Sequence, residues 1–335
     1  MGRHAEIIHN AQGADADANA DARALHVLAK GGRSFYWASH FLGRKAAHDA
    51  AHLYRFCRTL DDLADGDLPN GPARLAAINT QLDRLAEGGA NSSLDPALSD
   101  FMPTLNACSV PIRPIQHLLD GLLFDQQEVA LKNSDDLIKY AYQVAGTVGL
   151  LMCPVLGCQN SQAFSFAVDM GIAMQLTNIA RDVLEDAEMG RRYLPGDWVG
   201  NLSAASISAL PRQLAPSDIA PKRASDIEMV TAAIDRLLLL ADRYYQSGMK
   251  GLVYLPPRAH IAIAVAANVY REIGQKLRRR QLDWTKGRTV TNGMEKAVAS
   301  FGAFSSLPAR IGRKKPVYLA ELQSPLQGYM ELDSL

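Results

Sequence analysis

Two acidic pairs set the terms for any fold this chain adopts. Asp61 and Asp65 form one D-x-x-x-D unit, and Asp182 and Asp186 form another. Each lies in a segment whose apolar residues recur at three- and four-residue spacing, as on one face of a helix. Leu53, Phe56, Cys57, Leu60 and Ala64 surround the first, and Phe166, Val168, Ile172, Met174, Leu176 and Ile179 lead to the second. Residues four apart on a helix have Cβ atoms about 5–6 Å apart, so each pair sets two like charges side by side. The apolar setting makes solvent a poor screen, and the repulsion grows as the site dries. Something must neutralise these carboxylates.

A hard divalent cation does so naturally, because Mg²⁺ takes oxygen ligands and commonly bridges one or two carboxylates to a substrate phosphate. Asn178 precedes Asp182 by four residues, so its amide oxygen points to the same face. Arg58 and Arg181 lie within a turn of the acids, where each pairs with a carboxylate or forks onto phosphate oxygens. Other metal and nucleotide chemistries find no pattern. There is no D-x-D-x-D-G calcium loop and no Walker or G-x-G-x-x-G loop, and a di-iron site needs two Glu-x-x-His units where the chain has one, at Glu6 and His9. The four cysteines, Cys57, Cys108, Cys153 and Cys158, include no C-x-x-C pair and read as buried thiols.

The rest of the chain reads as helix almost throughout. Val230 to Leu240 and Ile261 to Ile273 repeat the apolar helical spacing, and alternating strand-like runs are scarce. Turn signals fall at residues 67–71, 88–96, 111–114 and 195–221, the last being the longest irregular candidate. With 335 residues and 48% hydrophobic composition, the chain has apolar material for a large core. The expected architecture is a single all-α domain, a bundle of about ten or more helices around a central cavity. Residues 1–24 are expected as a flexible N-terminal segment, 25–304 as the helical domain and 305–335 as an extended or mobile tail. Lys plus Arg balance Asp plus Glu at 35 each, so no global basic field recruits nucleic acid. The N-terminus lacks an apolar signal region, and no run approaches the roughly 18 residues that span a bilayer. The chain reads as cytoplasmic, with contact at a membrane surface left open through Arg278-Arg279-Arg280 or Arg310 to Lys315. His52, His117 and His260 are isolated and read as structural or solvent-facing.

These segments resemble the phytoene/squalene synthase family of head-to-head prenyl synthases, over about residues 32–290. The resemblance rests on Ser34-Phe35, on Tyr54 to Asp65, on YAYQVAGTVG at Tyr140 to Gly149, and on Gln175 to Asp186 with its sequel Gly190-Arg-Arg-Tyr-Leu-Pro195. Tyr270 with Arg288 completes it. It implies an isoprenoid synthase fold with two acidic motifs facing each other across a deep cavity. Asp61, Asp65, Asn178, Asp182 and Asp186 would then serve Mg²⁺, for which Mn²⁺ substitutes. Arg33, Ser34, Tyr54, Arg58, Gln175, Arg181, Tyr270 and Arg288 would hold diphosphate or shape the reaction centre. The four aspartates, Tyr54 and Arg58 form the implied catalytic set, and Asp62 takes a structural place. Phe35, Val144, Gly146, Val148 and Gly149 would line the prenyl cavity, although close helix packing explains the glycines equally well.

The implied reaction couples two geranylgeranyl diphosphates to phytoene without NADPH. A close rival uses farnesyl diphosphate and ends at presqualene diphosphate, dehydrosqualene or squalene. A catalytically silent binding subunit is a third possibility, against which the complete acidic motifs argue. The segment after about residue 305 has no counterpart in the resemblance, and the oligomeric state is not legible.

Overall fold

A computed structural model describes residues 20–89, 93–211, 221–310, 315–318 and 320–330. Residues 1–19, part of the expected N-terminal segment, lie outside it, as do Arg313 and Lys314 of the basic tail cluster. The described residues are helical with no strand, as the periodicity predicts. The helices are α1 (20–31), α2 (Arg33–Ser39), α3 (Arg44–Ala64), α4 (Gly71–Ala86), α5 (Pro96–Cys108), α6 (Ile112–Phe124) and α7 (Ser134–Ala141). A π-turn at Tyr142–Gly146 leads into α8 (Thr147–Val155), and α9 (Phe164–Glu188), α10 (Ala204–Ala209), α11 (Pro221–Gly251), α12 (Pro257–Arg279) and α13 (Gly293–Phe304) follow. The span 195–221, read as irregular, therefore contains α10, seated by the buried Ile207 and capped by Ser203, which accepts from Ser206 N–H.

Local chemistry explains several boundaries. Asp95 and Asn133 accept backbone N–H bonds at the starts of α5 and α7. Asn292 and Glu295 form a reciprocal capping box at α13. Pro257 opens α12, where its missing N–H costs nothing.

Helix α9 is the axle. Val168, Ile172, Ala173, Leu176 and Ala180 are fully buried, as befits a helix apolar nearly all round. It packs on α11, α12, α8 and the π-turn. Two contacts need glycine. A Cβ on Gly149 would meet the Ala167 carbonyl oxygen at 2.2 Å, and one on Gly171 would meet that of Ala145 at 2.2 Å. The π-turn and α8 therefore lie almost backbone to backbone with α9. One core gathers around α9, α11 and α12, and a second joins α3 to α6 with Leu151 and Val155 of α8. A cavity of about 400 Å³ opens between them.

The three single histidines all have partners. His52 meets Asp21, His117 meets the Tyr142 hydroxyl, and His260 meets the Leu252 carbonyl. The stretch expected as a tail includes a 3₁₀ helix at Ala320–Leu326, whose Gln323 and Leu326 are buried.

Candidate active site

The cavity is apolar along most of its length and acidic at one end. Tyr54, Arg58 and Asp61 of α3 face Gln175 and Asn178 of α9 across it, with Tyr270 of α12 beside them. Asp65, Asp182 and Asp186 lie one to two turns further along α3 and α9. The two acidic units thus come from different helices to the same end of the bundle, as their embedding in core segments requires.

Arginines occupy this end. Arg58 donates to Asp61 at 2.9 Å and also pairs with Asp62. Arg181 forks onto its neighbour Asp182, with Nε at 2.7 Å from Oδ1, and Arg288 Nε lies 3.4 Å from the same oxygen. Asp182 departs from helical geometry, with φ −106° and ψ 15°, so α9 kinks where its carboxylate is aimed. Arg191 donates to Asp65 at 3.0 Å.

The site remains short of positive charge. Burial pushes Asp61 up to about 6 against the pull of Arg58, with Asp65 and Asp125 adding to the rise. Burial and the nearby Asp182 push Asp186 up to about 8. Asn178 Oδ1 is buried without a partner, while its amide nitrogen donates to Gln175. An unmatched oxygen among crowded carboxylates suits a hard cation. Among the described residues, no three His, Cys, Asp or Glu side chains converge as a preformed ligand set. The acids are instead held apart by the arginines.

Phe35, Val144, Val148 and Gly149 line the apolar walls. Gly146 does not. It faces α9 behind the wall, where an added Cβ would meet Val168 and Ile172, and Ala145 takes the cavity position. Val144, Ala145, Val148, Gly149, Met152 and Cys153 line the cavity at four-residue spacing, which leaves Gly146 on another face. Phe35 packs on Tyr270 at 5.2 Å, so α2 covers one side of the acidic end. Arg33 is exposed and Ser34 half-buried at the start of α2, and neither lines the cavity.

Sequence reading missed a fifth aspartate at this end. Asp125, just after α6, accepts from the hydroxyls of Tyr140 and Tyr193 at 2.8 Å each, and those rings stack at 4.7 Å. Burial pushes it up to about 6, partly offset by the two hydroxyls. A paired turn delivers Tyr193 and Arg191 here, since Arg192 N–H bonds the Val129 carbonyl and Leu131 N–H the Arg192 carbonyl. Asp125 belongs to no D-x-x-x-D unit like the other two pairs, and the fold is what brings it to the acidic end. Tyr193 and Arg191 lay within the Gly190–Pro195 segment already singled out.

Comparison with known proteins agrees with this geometry. The squalene/phytoene synthase family profile matches residues 28–295. The chain is 32% identical to the 15-cis-phytoene synthase of Pantoea ananas over 90% of its length and 97% of that protein. It is 33% identical to the 15-cis-phytoene synthase of Paracoccus sp. over 76% of this chain and 80% of that one. In structure it is similar to a dehydrosqualene synthase, with a TM-score of 0.71 and 26% identity over 87% of this chain and 98% of the other. The fold also matches a squalene synthase from Alicyclobacillus acidocaldarius, with a TM-score of 0.65 and 22% identity over 81% and 95% of the two chains. The chain belongs to the squalene/phytoene synthase family and is a prenyltransferase.

Proposed function

We propose that this enzyme joins two geranylgeranyl diphosphates head to head, through prephytoene diphosphate, to give phytoene, two diphosphates and a proton. The observation that carries the reading is a deep apolar cavity that ends at carboxylates and arginines of α3 and α9, with Tyr270 of α12 beside them. Along α9 its lining runs from Asn178 to Phe166, twelve residues or about 18 Å at helical rise. That depth suits an extended C20 chain and favours it over the C15 chain of the rival reading.

Asp61, Asp65, Asn178, Asp182 and Asp186 would hold Mg²⁺, and the unmatched Asn178 oxygen and the raised Asp61 and Asp186 fit that role. Bound there, the ions would offset the charge that builds on the departing diphosphate. The protein's own part is preorganisation. Arg58, Arg181 and Arg288, now resting on aspartates, are within reach to fork onto diphosphate oxygens. Tyr54 is pushed up to about 12 by burial and by Tyr270, so it keeps its proton and donates. The departing diphosphate, rather than Tyr54, then accepts the proton lost in the last step. Walls built from Val144, Val148, Gly149 and Met174 exclude water that would quench a carbocation. Proton loss needs no NADPH.

The enzyme sits on an anionic bilayer, where its lipid substrates dissolve. No described helix is long and apolar enough to cross a membrane. Met294, Val298 and Phe301 instead form an exposed apolar stripe on α13, with Phe301 83% exposed. Tyr36 and Trp37 of α2 extend it, joined by the Trp37 indole donating to Ser300 at 2.8 Å. Arg33 of α2 is exposed and lies near Lys296 of α13, and Phe35 of the same helix α2 lines the cavity. The arginine run considered earlier is engaged elsewhere, with Arg278 on Asp235 and Asp242 and Arg279 on Glu272. Phe301→Glu with Val298→Glu should abolish flotation with phosphatidylglycerol vesicles, and unchanged flotation would remove this face from the account.

Product identification tests the central reading. Geranylgeranyl diphosphate with Mg²⁺ and no NADPH should give a C40 hydrocarbon with a central double bond. A strict NADPH requirement for hydrocarbon release would favour the squalene-type rival.

A further inference from the structure

The end of the cavity opposite the acids is closed by Phe166. It lies twelve residues before Asn178 on α9, about 18 Å along the helix. Phe166, Leu252 and Leu255 line the cavity there and are buried, so the end is shut to solvent. Phe166 is held from behind. A Cβ on Gly251 would stand 2.2 Å from the Phe166 Cβ, so α11 presses on its base. The Tyr254 ring lies at 6.1 Å and nearly parallel to it, and the Tyr318 ring meets it edge-on at 5.1 Å.

Tyr318 belongs to the C-terminal segment, and the described residues of that segment are tied down at several points. The Tyr318 hydroxyl donates to Asp169 Oδ1 at 3.1 Å. The Gln323 amide donates to the same oxygen and to the Ser165 carbonyl, at 2.9 Å each. The Tyr254 hydroxyl donates to the Pro316 carbonyl at 2.7 Å, and the Tyr244 hydroxyl to that of Leu322 at 2.5 Å. Asp169 is fully buried, three residues beyond Phe166, and is absent from the cavity wall. A buried carboxylate costs stability unless it is hydrogen-bonded. Here Oδ1 bonds the segment that backs Phe166, so one face of α9 meets the cavity and the other anchors Tyr318. The family profile ends at residue 295, before this segment begins.

We propose that Phe166 is the stop that limits prenyl chain length, and that the Tyr318 ring, packed edge-on against it, is the positioning group that keeps the stop in place. The inference rests on the cavity being the prenyl site. A longer chain could enter only if the Phe166 ring swung away from the cavity, and the Tyr318 ring occupies that path. Tyr318→Ala vacates it, whereas Tyr318→Phe gives up only the hydrogen bond and leaves the ring.

Binding of hydrolysis-resistant C15, C20 and C25 prenyl thiolodiphosphates, read by tryptophan fluorescence with Mg²⁺ present, tests this without turnover. The wild type should bind the C20 analogue better than the C25. Phe166→Leu and Tyr318→Ala should each raise the C25-to-C20 affinity ratio on the order of tenfold, the scale on which a hydrophobic pocket discriminates by size. Tyr318→Phe should leave the ratio near the wild-type value, a split that a merely structural role of the segment would not produce. If Tyr318→Ala does not fold, the comparison of Phe166→Leu with Tyr318→Leu carries the same test. An unchanged ratio in Phe166→Leu, or in the Tyr318 variant that lacks the ring, overturns the proposal. Loss of all analogue binding by the wild type would instead overturn the prenyl reading of the cavity itself, and this inference with it.

Discussion

Arg191, in the turn after α9, donates to Asp65 at the end of α3 across a 3.0 Å ion pair. The two acidic helices are thereby linked by a cation that neither acidic unit supplies. Arg191 also lies near Asp125, and it opposes the upward push on Asp186. Arg191→Gln should lower kcat/KM about 10- to 100-fold, the scale of a lost charge-assisted contact in a transition state. Steady-state kinetics at saturating Mg²⁺ measures this, and a wild-type value would make Arg191 only a tie between helices.

Asp61→Ala and Asp182→Ala should each cut turnover at least about 100-fold while the far-ultraviolet circular dichroism stays native, because the charge they hold matters most in the transition state. Leu60, adjacent to Asp61 but fully buried, should behave in the opposite way. Leu60→Ala should cost roughly 2–5 kcal/mol in denaturant unfolding. Near-normal turnover in either aspartate variant would remove that unit from the chemistry.

Gly171→Ala tests the contact that brings α9 against the π-turn. The new methyl would stand 2.2 Å from the Ala145 carbonyl oxygen, and backbone on both sides leaves little room to yield. A loss of about 1–3 kcal/mol or more is expected from such overpacking. Thermal unfolding measures it, and an unchanged melting temperature would mean that the helices separate freely.

Much of this was legible in the sequence because it is local. Asp61 with Asp65, and Asp182 with Asp186, show their spacing in the chain, and the apolar residues around them show which helices are central. Asp125 was not legible, since an acid outside any D-x-x-x-D unit points to no site until Tyr140 and Tyr193 close on it. Gly146 was assigned to the cavity wall by the resemblance, and the alternative reading of close helix packing is the one its contacts with Val168 and Ile172 support. The packing of Tyr318 and Gln323 was hidden for another reason. Their segment has no periodicity, and its partners Asp169 and Ser165 lie about 150 residues away.

Asp169 gives a pH prediction with a definite sign. Burial pushes it up to about 6 from 3.8, although Ser247, Gln323 and Tyr318 hold it down in part. A carboxylate raised on folding is protonated more readily in the native state, so it favours folding at low pH. That contribution is lost as pH rises from about 4 through about 6, leaving a cost on the order of 2–3 kcal/mol above it. Asp169→Asn keeps an acceptor for Gln323 and Tyr318 but cannot ionise. Its stability, measured by urea unfolding between pH 4 and 8, should fall less over that window than the wild type's. Parallel curves would mean that Asp169 titrates normally.

One competition experiment addresses the central claim most directly. The purified enzyme receives equal amounts of farnesyl and geranylgeranyl diphosphate with Mg²⁺ and no NADPH, and the hydrocarbons are identified by mass spectrometry. The account predicts a predominant C40 product with a central double bond, no product in EDTA, and recovery when Mg²⁺ or Mn²⁺ is restored. A predominant C30 product, or full turnover in EDTA, would contradict it.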